Sequence, residues 1–262
     1  MKRKYRLLAT VGLAVFLCGS SSALAQSLGT ATTFAVLGGS TVTNTGPSII
    51  FGDLGVSPGS AVTGFPPGIV AGGTIHAADA VALQAQNDVT TAYNFLAGQA
   101  CNTDLTGQDL GGLTLTPGVY CFSSSAQLTG MLTLNGAGVY IFQIGTTLTT
   151  ASGSSVALTN GASACNVWWQ VGSSATLGTT TSLPGNVLAL TSITLNTGAS
   201  VSGRALARNG AVTLDSNLVS SCAAPLSAVQ VPTLSGWGMI MLMALLVLVA
   251  FAAMRRLALR PT

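Results

Sequence analysis

A short alternation of polar and apolar residues recurs between residues 111 and 217. Each copy is a threonine followed by a leucine and a small or polar residue. The copies are Thr114-Leu115-Thr116, Thr133-Leu134-Asn135, Thr176-Leu177-Gly178, Thr194-Leu195-Asn196 and Thr213-Leu214-Asp215. The leucines advance by 19, 43, 18 and 19 residues, and the gap of 43 has room for one more copy. A near-constant period of this size is typical of a solenoid.

The repeated units are predicted to be strands, because Gly, Asn, Pro and Ser bound their apolar residues. About 19 residues at ~3.3 Å each trace roughly 60 Å, which suits three short strands and three corners. Parallel crossovers are nearly always right-handed. The sequence therefore predicts an all-β solenoid, a right-handed parallel β-helix of irregular, roughly triangular coils. We expect the leucines to stack inward in one ladder, and the threonines before them to form one outward column.

One segment, residues 77–97, has helical rather than strand periodicity. It is rich in Ala, Leu and Gln and contains no Gly or Pro. Its apolar stripe consists of Val81, Ala85, Val89, Tyr93 and Leu96, and Gly98 follows its end. A helix with a single apolar stripe buries that stripe against a neighbour. We therefore expect one long α-helix packed along the flank of the β-helix.

Both ends of the chain are predicted to be targeting segments. Residues 1–25 combine a basic start, a short apolar core and the cleavage sequence Ala23-Leu24-Ala25, which is typical of a secretory signal peptide. The β-helix domain is assigned to residues 26–219 and a linker to 220–230. Residues 231–262 contain an apolar stretch at about 236–254, long enough for a transmembrane helix. The basic end after it is expected to stay cytoplasmic.

Charge and cysteine content narrow the classes of function. Residues 26–236 contain two bases and six acids, a net charge of −4, so we exclude nucleic-acid binding, which needs many Lys or Arg.

No metal site and no cofactor are predicted, because the cysteine spacings and the lone His76 fit no ligand pattern. Of the five cysteines, Cys18 lies in the predicted signal peptide, so four remain after cleavage. An even number in an exported chain favours disulfides, and three pairings are open; the nearest-neighbour pairing joins Cys101 to Cys121 and Cys165 to Cys222.

No constellation of catalytic residues is evident, so we do not expect an enzyme. Asp104 and Asp109 are close in sequence, but they lie among turn residues, where Asp commonly caps or turns the chain. His76 stands at the entrance to the predicted helix, which favours a capping or surface role. Arg204 and Arg208 are expected to bond carbonyl groups or to pair with an Asp.

Residues 28–217 resemble the ice-binding-like family of secreted microbial proteins. The matching phrases are Phe34-Ala-Val-Leu-Gly-Gly-Ser40, Thr43-Asn-Thr-Gly46, Gly52-Asp-Leu-Gly-Val-Ser-Pro-Gly59, Asp104-Leu-Thr-Gly-Gln-Asp-Leu-Gly-Gly112, Thr116-Pro-Gly-Val-Tyr120, Phe142-Gln-Ile144, Asn166-Val-Trp-Trp-Gln-Val-Gly172 and Gly203-Arg-Ala-Leu-Ala207. The resemblance implies an irregular β-helix with a long helix alongside, and binding of an ice surface through one flat face.

The end of the chain resembles the IPTL-CTERM class of bacterial sorting signals. The matching phrase is Val231-Pro-Thr-Leu-Ser-Gly-Trp-Gly238, with Val in place of the usual Ile and Gly236 where Glu is frequent. This implies export from a Gram-negative bacterium and envelope machinery that sorts or processes the tail. We expect the domain first on the periplasmic side of the inner membrane, then at the cell surface or secreted.

A flat array of threonines suits ice, because each methyl group excludes water while each hydroxyl anchors an ordered water molecule. The ice-binding candidates are Thr114, Thr116, Thr133, Asn135, Thr176, Thr194, Asn196 and Thr213. A different face, with Ser154-Ser155, Thr179-Thr180-Thr181 and residues 197–200, stays open as an alternative. A structural or adhesive surface protein on the same scaffold is the alternative function, and a carbohydrate-active enzyme is a third hypothesis. We expect a monomer.

Overall fold

The computed structural model describes residues 27–222. The predicted signal peptide, the linker beyond residue 222 and the sorting tail with its membrane helix at about 236–254 lie outside the described residues. Within 27–222, no helix combines the length and the apolar character that a membrane crossing requires.

The described chain is built mainly of short strands joined in parallel. The strands are β1 (Phe34–Gly38), β2 (Thr41–Thr45), β3 (Ile49–Phe51), β4 (Asp53–Val56), β5 (Ala61–Thr63), β6 (Ile69–Ala71), β7 (Ile75–Ala77), β8 (Thr103–Asp104), β9 (Thr114–Leu115), β10 (Gly118–Phe122), β11 (Ala126–Leu128), β12 (Met131–Asn135), β13 (Tyr140–Ile144), β14 (Leu148–Thr150), β15 (Ser155–Thr159), β16 (Val167–Val171), β17 (Ala175–Leu177), β18 (Ser182–Ala189), β19 (Ile193–Leu195), β20 (Ser200–Ala207), β21 (Val212–Asp215) and β22 (Leu218–Ser220). The helices are α1 (Ala80–Ala97) and two 3-10 helices, Gly29–Thr33 and Ala164–Asn166.

The strands form a parallel β-helix with three faces, as the repeat predicts. The threonine face is a seven-stranded sheet in the order β11-β14-β17-β19-β21-β2-β5. The helix face contains β8, β10, β13, β16, the second halves of β18 and β20, and β1, β4 and β7. The third face contains β9, β12, β15, the first halves of β18 and β20, and β22, β3 and β6.

The coils do not stack in chain order. The first coil of the chain, β1 to β3, pairs with the last coil, β20 to β22. The segment after β7 must then return to the far end of the stack, where β8 begins the next coil. Helix α1 makes this return outside the β-helix. Its 18 residues span about 27 Å, the height of five or six coils at ~4.8 Å each.

Helix α1 begins three residues later than residue 77, where the sequence places its start. Asp79 is the N-cap, and its side chain accepts a hydrogen bond from the Ala82 N–H at 2.8 Å. His76 bonds the other oxygen of Asp79 at 2.7 Å, so it supports the cap as expected. Val81 is 47% exposed, because the buried stripe starts at Ala82 instead. The buried side chains of the helix are Ala82, Ala85, Gln86, Val89, Ala92, Tyr93 and Leu96.

The interior is filled by stacked side chains, one from each coil. Tyr120, Phe142 and Trp169 are successive register partners on the helix face, and the rings of Phe142 and Trp169 lie 4.1 Å apart. Trp169 is fully buried, and its indole N–H donates to the Pro184 carbonyl at 3.0 Å. Trp168 points the other way and packs beneath α1. The two neighbouring tryptophans therefore alternate in and out, as a strand requires.

The single leucine ladder that the repeat predicts is wrong. Leu115 and Leu134 are partners on the third face, whereas Leu177 and Leu195 are partners on the threonine face. The corners differ in length from coil to coil. A spacing of about 19 residues therefore occurs between strands of either face and does not show which face a leucine belongs to.

Candidate binding face

The threonine face presents one straight row of polar side chains, one from each strand. Every neighbouring pair in this row is a direct register partner, so successive members are one strand spacing apart, ~4.8 Å. The members in spatial order are Thr63, Thr43, Thr213, Thr194, Thr176, Thr149 and Gln127. We call this row the threonine column.

The local sequence forces these side chains outward. In β19, Ile193 and Leu195 are buried in the core on either side of Thr194. In β21, Val212 and Leu214 flank Thr213 in the same way. Successive side chains of a strand point to opposite sides, so an apolar–Thr–apolar triplet must present its threonine to solvent. Burial of the flanking residues thus fixes the direction of the column.

A second row of small residues runs beside the column, two positions before each of its members and mostly just ahead of the strand itself. Backbone hydrogen bonds of 2.9–3.1 Å join the coils at this position, for example from Ala175 N–H to the Ser192 carbonyl. The members of the row are Ala61, Thr41, Ala211, Ser192, Ser174, Thr147 and Ser125. The face is therefore two rows of uncharged, mostly small side chains on a rigid sheet.

The hydroxyl groups of the column are available to solvent. Within residues 27–222, those of Thr149, Thr176 and Thr194 have no protein hydrogen-bond partner, and those of Thr43 and Thr213 meet at 3.4 Å. Helix α1 covers a different face and leaves this one open. The hydroxyl groups can therefore order water molecules at regular intervals, while the methyl groups beside them exclude water.

Carboxylates stand only at the margins of the face, among the described residues. Asp109 pairs with Gln127 at one end of the column. Burial raises the pKa of Asp109, but hydrogen bonds from the Gly111 and Thr129 N–H groups outweigh it and leave the pKa below the ordinary value. Asp215 accepts a hydrogen bond from Thr197 at the corner. Both aspartates brace turns, as does Asp104, which accepts from the Thr106 N–H at 2.8 Å.

The single outward column expected from the sequence is divided between two faces. Thr176, Thr194 and Thr213 lie in the threonine column, whereas Thr114 and Thr133 are partners on the third face. The column advances by 22 residues from Gln127 to Thr149, by 27 to Thr176, by 18 to Thr194 and by 19 to Thr213. Because the early coils have longer corners, the spacing between members of the column is not constant, and a fixed period in the sequence does not identify them.

The remaining candidates occupy corners and edges. Asn135 Oδ1 accepts a hydrogen bond from Asn160 Nδ2 at 2.6 Å, at the end of a third-face strand. Thr116 lies exposed beyond β9. The Asn196 carbonyl accepts from Asn217 Nδ2 at 2.9 Å, beside the threonine face. None of these three side chains belongs to the column.

The alternative Ser/Thr-rich face consists mainly of buried side chains that hydrogen-bond one coil to the next. Ser154 and Thr181 are buried, and the hydroxyls of Thr181 and Thr150 are 2.7 Å apart. Ser154 Oγ donates to the Leu128 carbonyl at 2.9 Å. These residues tie successive coils at the corner between the threonine face and the third face, and only neighbours such as Thr179 are exposed.

Sequence reasoning missed four members of the column: Thr43, Thr63, Thr149 and Gln127. Thr43, Thr63 and Thr149 each follow a valine or a leucine, as in Val42-Thr43-Asn44 and Leu148-Thr149-Thr150, but none of them is followed by the leucine that marks the repeat. Gln127 has apolar neighbours on both sides but is not a threonine. Thr133 does have the repeated Thr-Leu pattern, yet it lies on the third face. Only the strand pairing shows which residues form the column.

The four cysteines between residues 27 and 222 lie in two pairs of neighbours. Cys101 and Cys121 form a disulfide that joins the connection between α1 and β8 to β10. Cys165 and Cys222 are present as neighbouring thiols, and burial, with Cys222 alongside, raises the pKa of Cys165 to about 12. Within residues 27–222, no group of three or more His, Cys, Asp or Glu side chains is arranged to hold a metal ion.

The chain is similar to known proteins in sequence and in fold. A family model described as Ice-binding-like matches residues 36–220, and the IPTL-CTERM motif matches residues 230–256. An ice-binding protein of Nostoc sp. (strain HG1) is 62% identical over 227 residues, 84% of each chain. A solved ice-binding protein from an Antarctic Biological Consortium has a TM-score of 0.73 at 47% identity, over 84% of this chain and 96% of its own. Another, from the Antarctic ascomycete Antarctomyces psychrotrophicus, has a TM-score of 0.74 at 43% identity, over 76% of this chain and all of its own.

Proposed function

This chain belongs to the ice-binding-like family, and from that premise we propose that it binds ice through the threonine face. The observation that carries the proposal is the column of register-paired threonines on an uncovered sheet. The relatives are named as ice-binding proteins, which favours this function over a structural or adhesive role and over an enzyme.

The physical basis is an array of weak contacts held in place before binding. A backbone hydrogen-bonded on both sides keeps each threonine at a fixed spacing, so little conformational entropy is lost on contact with a lattice. Coil spacing lies near a repeat of the ice lattice, and each coil adds one hydroxyl and one methyl group. No partner other than ice is required for this activity, and the monomer is sufficient for it.

The same proposal includes export. The signal peptide and the IPTL-CTERM tail support passage through the inner membrane and handling by sorting machinery, with the domain on the periplasmic side before release or display. The Cys101–Cys121 disulfide supports an oxidising compartment, since such bonds are rare in the cytosol.

Ice recrystallisation inhibition by the segment 26–224 tests the function and the face together. The Antarctomyces protein, whose whole chain aligns with 76% of this one, supports independent folding of this segment. Thr194→Tyr places a bulky ring in the column and is expected to raise the inhibitory concentration by about tenfold, or ~1.4 kcal/mol of binding.

Thr133→Tyr is the matched control, because Thr133 has the same flanking leucine but lies on the third face. It is expected to leave inhibition unchanged. Loss in the Thr133 variant alone would move the site to the third face. Absence of inhibition by the parent segment at micromolar concentration would contradict ice binding altogether.

A further inference from the structure

Two cysteines meet where the described chain leaves the β-helix. Cys165 lies in the 3-10 helix Ala164–Asn166, which packs against β18 and β20 at the corner between the third face and the helix face. Cys222 follows β22, the last strand. The Asn186 side chain donates to the Cys165 carbonyl at 3.3 Å, and its Oδ1 is 3.9 Å from Cys222 Sγ. The two cysteines therefore share Asn186 as a neighbour.

Arg204 holds Cys222 in this position. Its guanidinium is buried, and it donates to Asn186 Oδ1 at 2.8 Å, to Cys222 Sγ at 3.2 Å and to the Cys222 carbonyl at 3.0 Å. It also donates to the Thr32 carbonyl. One side chain thus fixes both the backbone and the sulfur of Cys222, and an ordered sulfur beside Cys165 needs little rearrangement to form a bond.

We propose that Cys165 and Cys222 form a disulfide in the exported protein, and that this bond pins the exit of the sorting tail to the β-helix. The inference rests on the export proposed above. Two thiols lose two electrons and two protons to an acceptor disulfide, either a thiol oxidase of the envelope or a small-molecule disulfide. The Cys222 sulfur attacks the acceptor and releases one thiol; Cys165 then displaces the second thiol and closes the S–S bond.

The position of the bond gives it a mechanical consequence. Strand β22 has only three residues, and it pairs with β20 on one side and with β3 on the other. The linker and the tail follow this strand along the chain, so a pull on the tail would peel β22 away and open the contact between the first and last coils of the chain. A bond from Cys222 to Cys165 diverts that pull to the corner before β16, three coils deeper in the stack.

The two arginines of the domain make the bond easy to detect. Trypsin cleavage after Arg204 and Arg208 separates Cys222 from the other three cysteines of the exported chain. The full chain is expressed with its own signal and tail, denatured with N-ethylmaleimide and digested without reductant. The fragment that begins at Asn209 is expected to stay linked to the larger fragment, and to separate when a reductant is added.

Two variants assign the linkage. Cys165→Ser is expected to release the Asn209 fragment, whereas the double variant Cys101→Ser, Cys121→Ser is expected to retain the linkage. A released, maleimide-labelled Cys222 in molecules whose Cys101 and Cys121 are unlabelled would overturn the inference while leaving export intact. Labelling of all four cysteines would overturn export, and the inference falls with it.

Hydrogen exchange tests the mechanical part on the same full-length protein. In Cys165→Ser, amides of β22 and β3 are expected to exchange about tenfold faster, because local opening near the chain exit becomes easier. Amides of β11, at the far end of the stack, are expected to be unchanged. Equal exchange of β22 and β3 in both proteins would show that the bond does not pin the exit.

Discussion

Thr176 and Thr194 are direct partners in the parallel pairing of β17 with β19, and both hydroxyl groups point into solvent. Thr194 is also the partner of Thr213, so three consecutive coils present the same side chain at the same position. The flanking Leu177 and Leu195 are buried, which prevents the threonines from turning inward. Because the position of Thr194 is held in this way, its methyl group and its hydroxyl group can be removed one at a time and their effects compared.

Removing either group of Thr194 is expected to weaken ice recrystallisation inhibition. Thr194→Ser deletes a methyl group, worth about 0.8 kcal/mol of apolar contact, or roughly fourfold in concentration. Thr194→Val keeps the branched shape but deletes the hydroxyl, with a loss of about 1 kcal/mol, or roughly fivefold. Inhibition that is unchanged in the valine variant would mean that the hydroxyl does not anchor water. The same substitutions at Thr133 provide the control.

Gly203 is predicted to be intolerant of any side chain. It adopts a φ of +153° in the corner of β20, and a Cβ added there would lie 1.9 Å from the Gly185 carbonyl oxygen of the preceding coil. Gly203→Ala is therefore expected to lower the free energy of unfolding by about 3 kcal/mol, which corresponds to roughly 10 °C in Tm. Calorimetry of the segment 26–224 measures this loss.

Gly153→Ala is the matched control for the Gly203 substitution. Gly153 also has a positive φ, +71°, but an added Cβ would meet no atom within 4 Å. Only backbone strain of about 1–2 kcal/mol is expected there. A loss as large for Gly153→Ala as for Gly203→Ala would show that strain, rather than contact between coils, governs both positions.

Asp88 is expected to make the attachment of the N-terminal segment dependent on pH. Its carboxylate accepts two hydrogen bonds from Thr30, each 2.7 Å, and one from Gln84 at 3.0 Å. Burial raises the pKa of Asp88, but these bonds outweigh it and lower the pKa below the ordinary 3.8. The folded state therefore binds this proton more weakly than the unfolded state. The contribution to stability is complete above pH 3.8 and is lost as the pH falls through the lowered pKa.

Comparison of the parent with Asp88→Asn tests this dependence. The variant is expected to lose about 1 kcal/mol at neutral pH, and the difference in unfolding free energy is expected to shrink as the pH falls below 3.8. Denaturant unfolding at several pH values measures it. A difference between the two proteins that persists unchanged at pH 2 would contradict the assignment.

The sequence by itself determined the types of secondary-structure element in this protein, the short strands and the one long helix. Alternating apolar residues bounded by Gly, Asn and Ser require strands, and the Ala-rich stretch without Gly or Pro requires a helix, because both patterns depend on contacts between near neighbours. They were enough to predict a triangular parallel solenoid, a flanking helix and a threonine-bearing face. The alternation of Trp168 and Trp169 was predictable for the same reason.

Only the tertiary structure decided which units stack on one another. Thr133 and Thr194 each lie between two buried aliphatic residues and are each followed by a leucine, yet the pairing of β12 with β15 and of β19 with β21 assigns them to different faces. Likewise, Thr43 joins Thr213 across 170 residues because the first coil of the chain packs on the last. The register between strands depends on the lengths of the corners and on the burial of apolar side chains in all the coils together. A short stretch of sequence does not specify either of these.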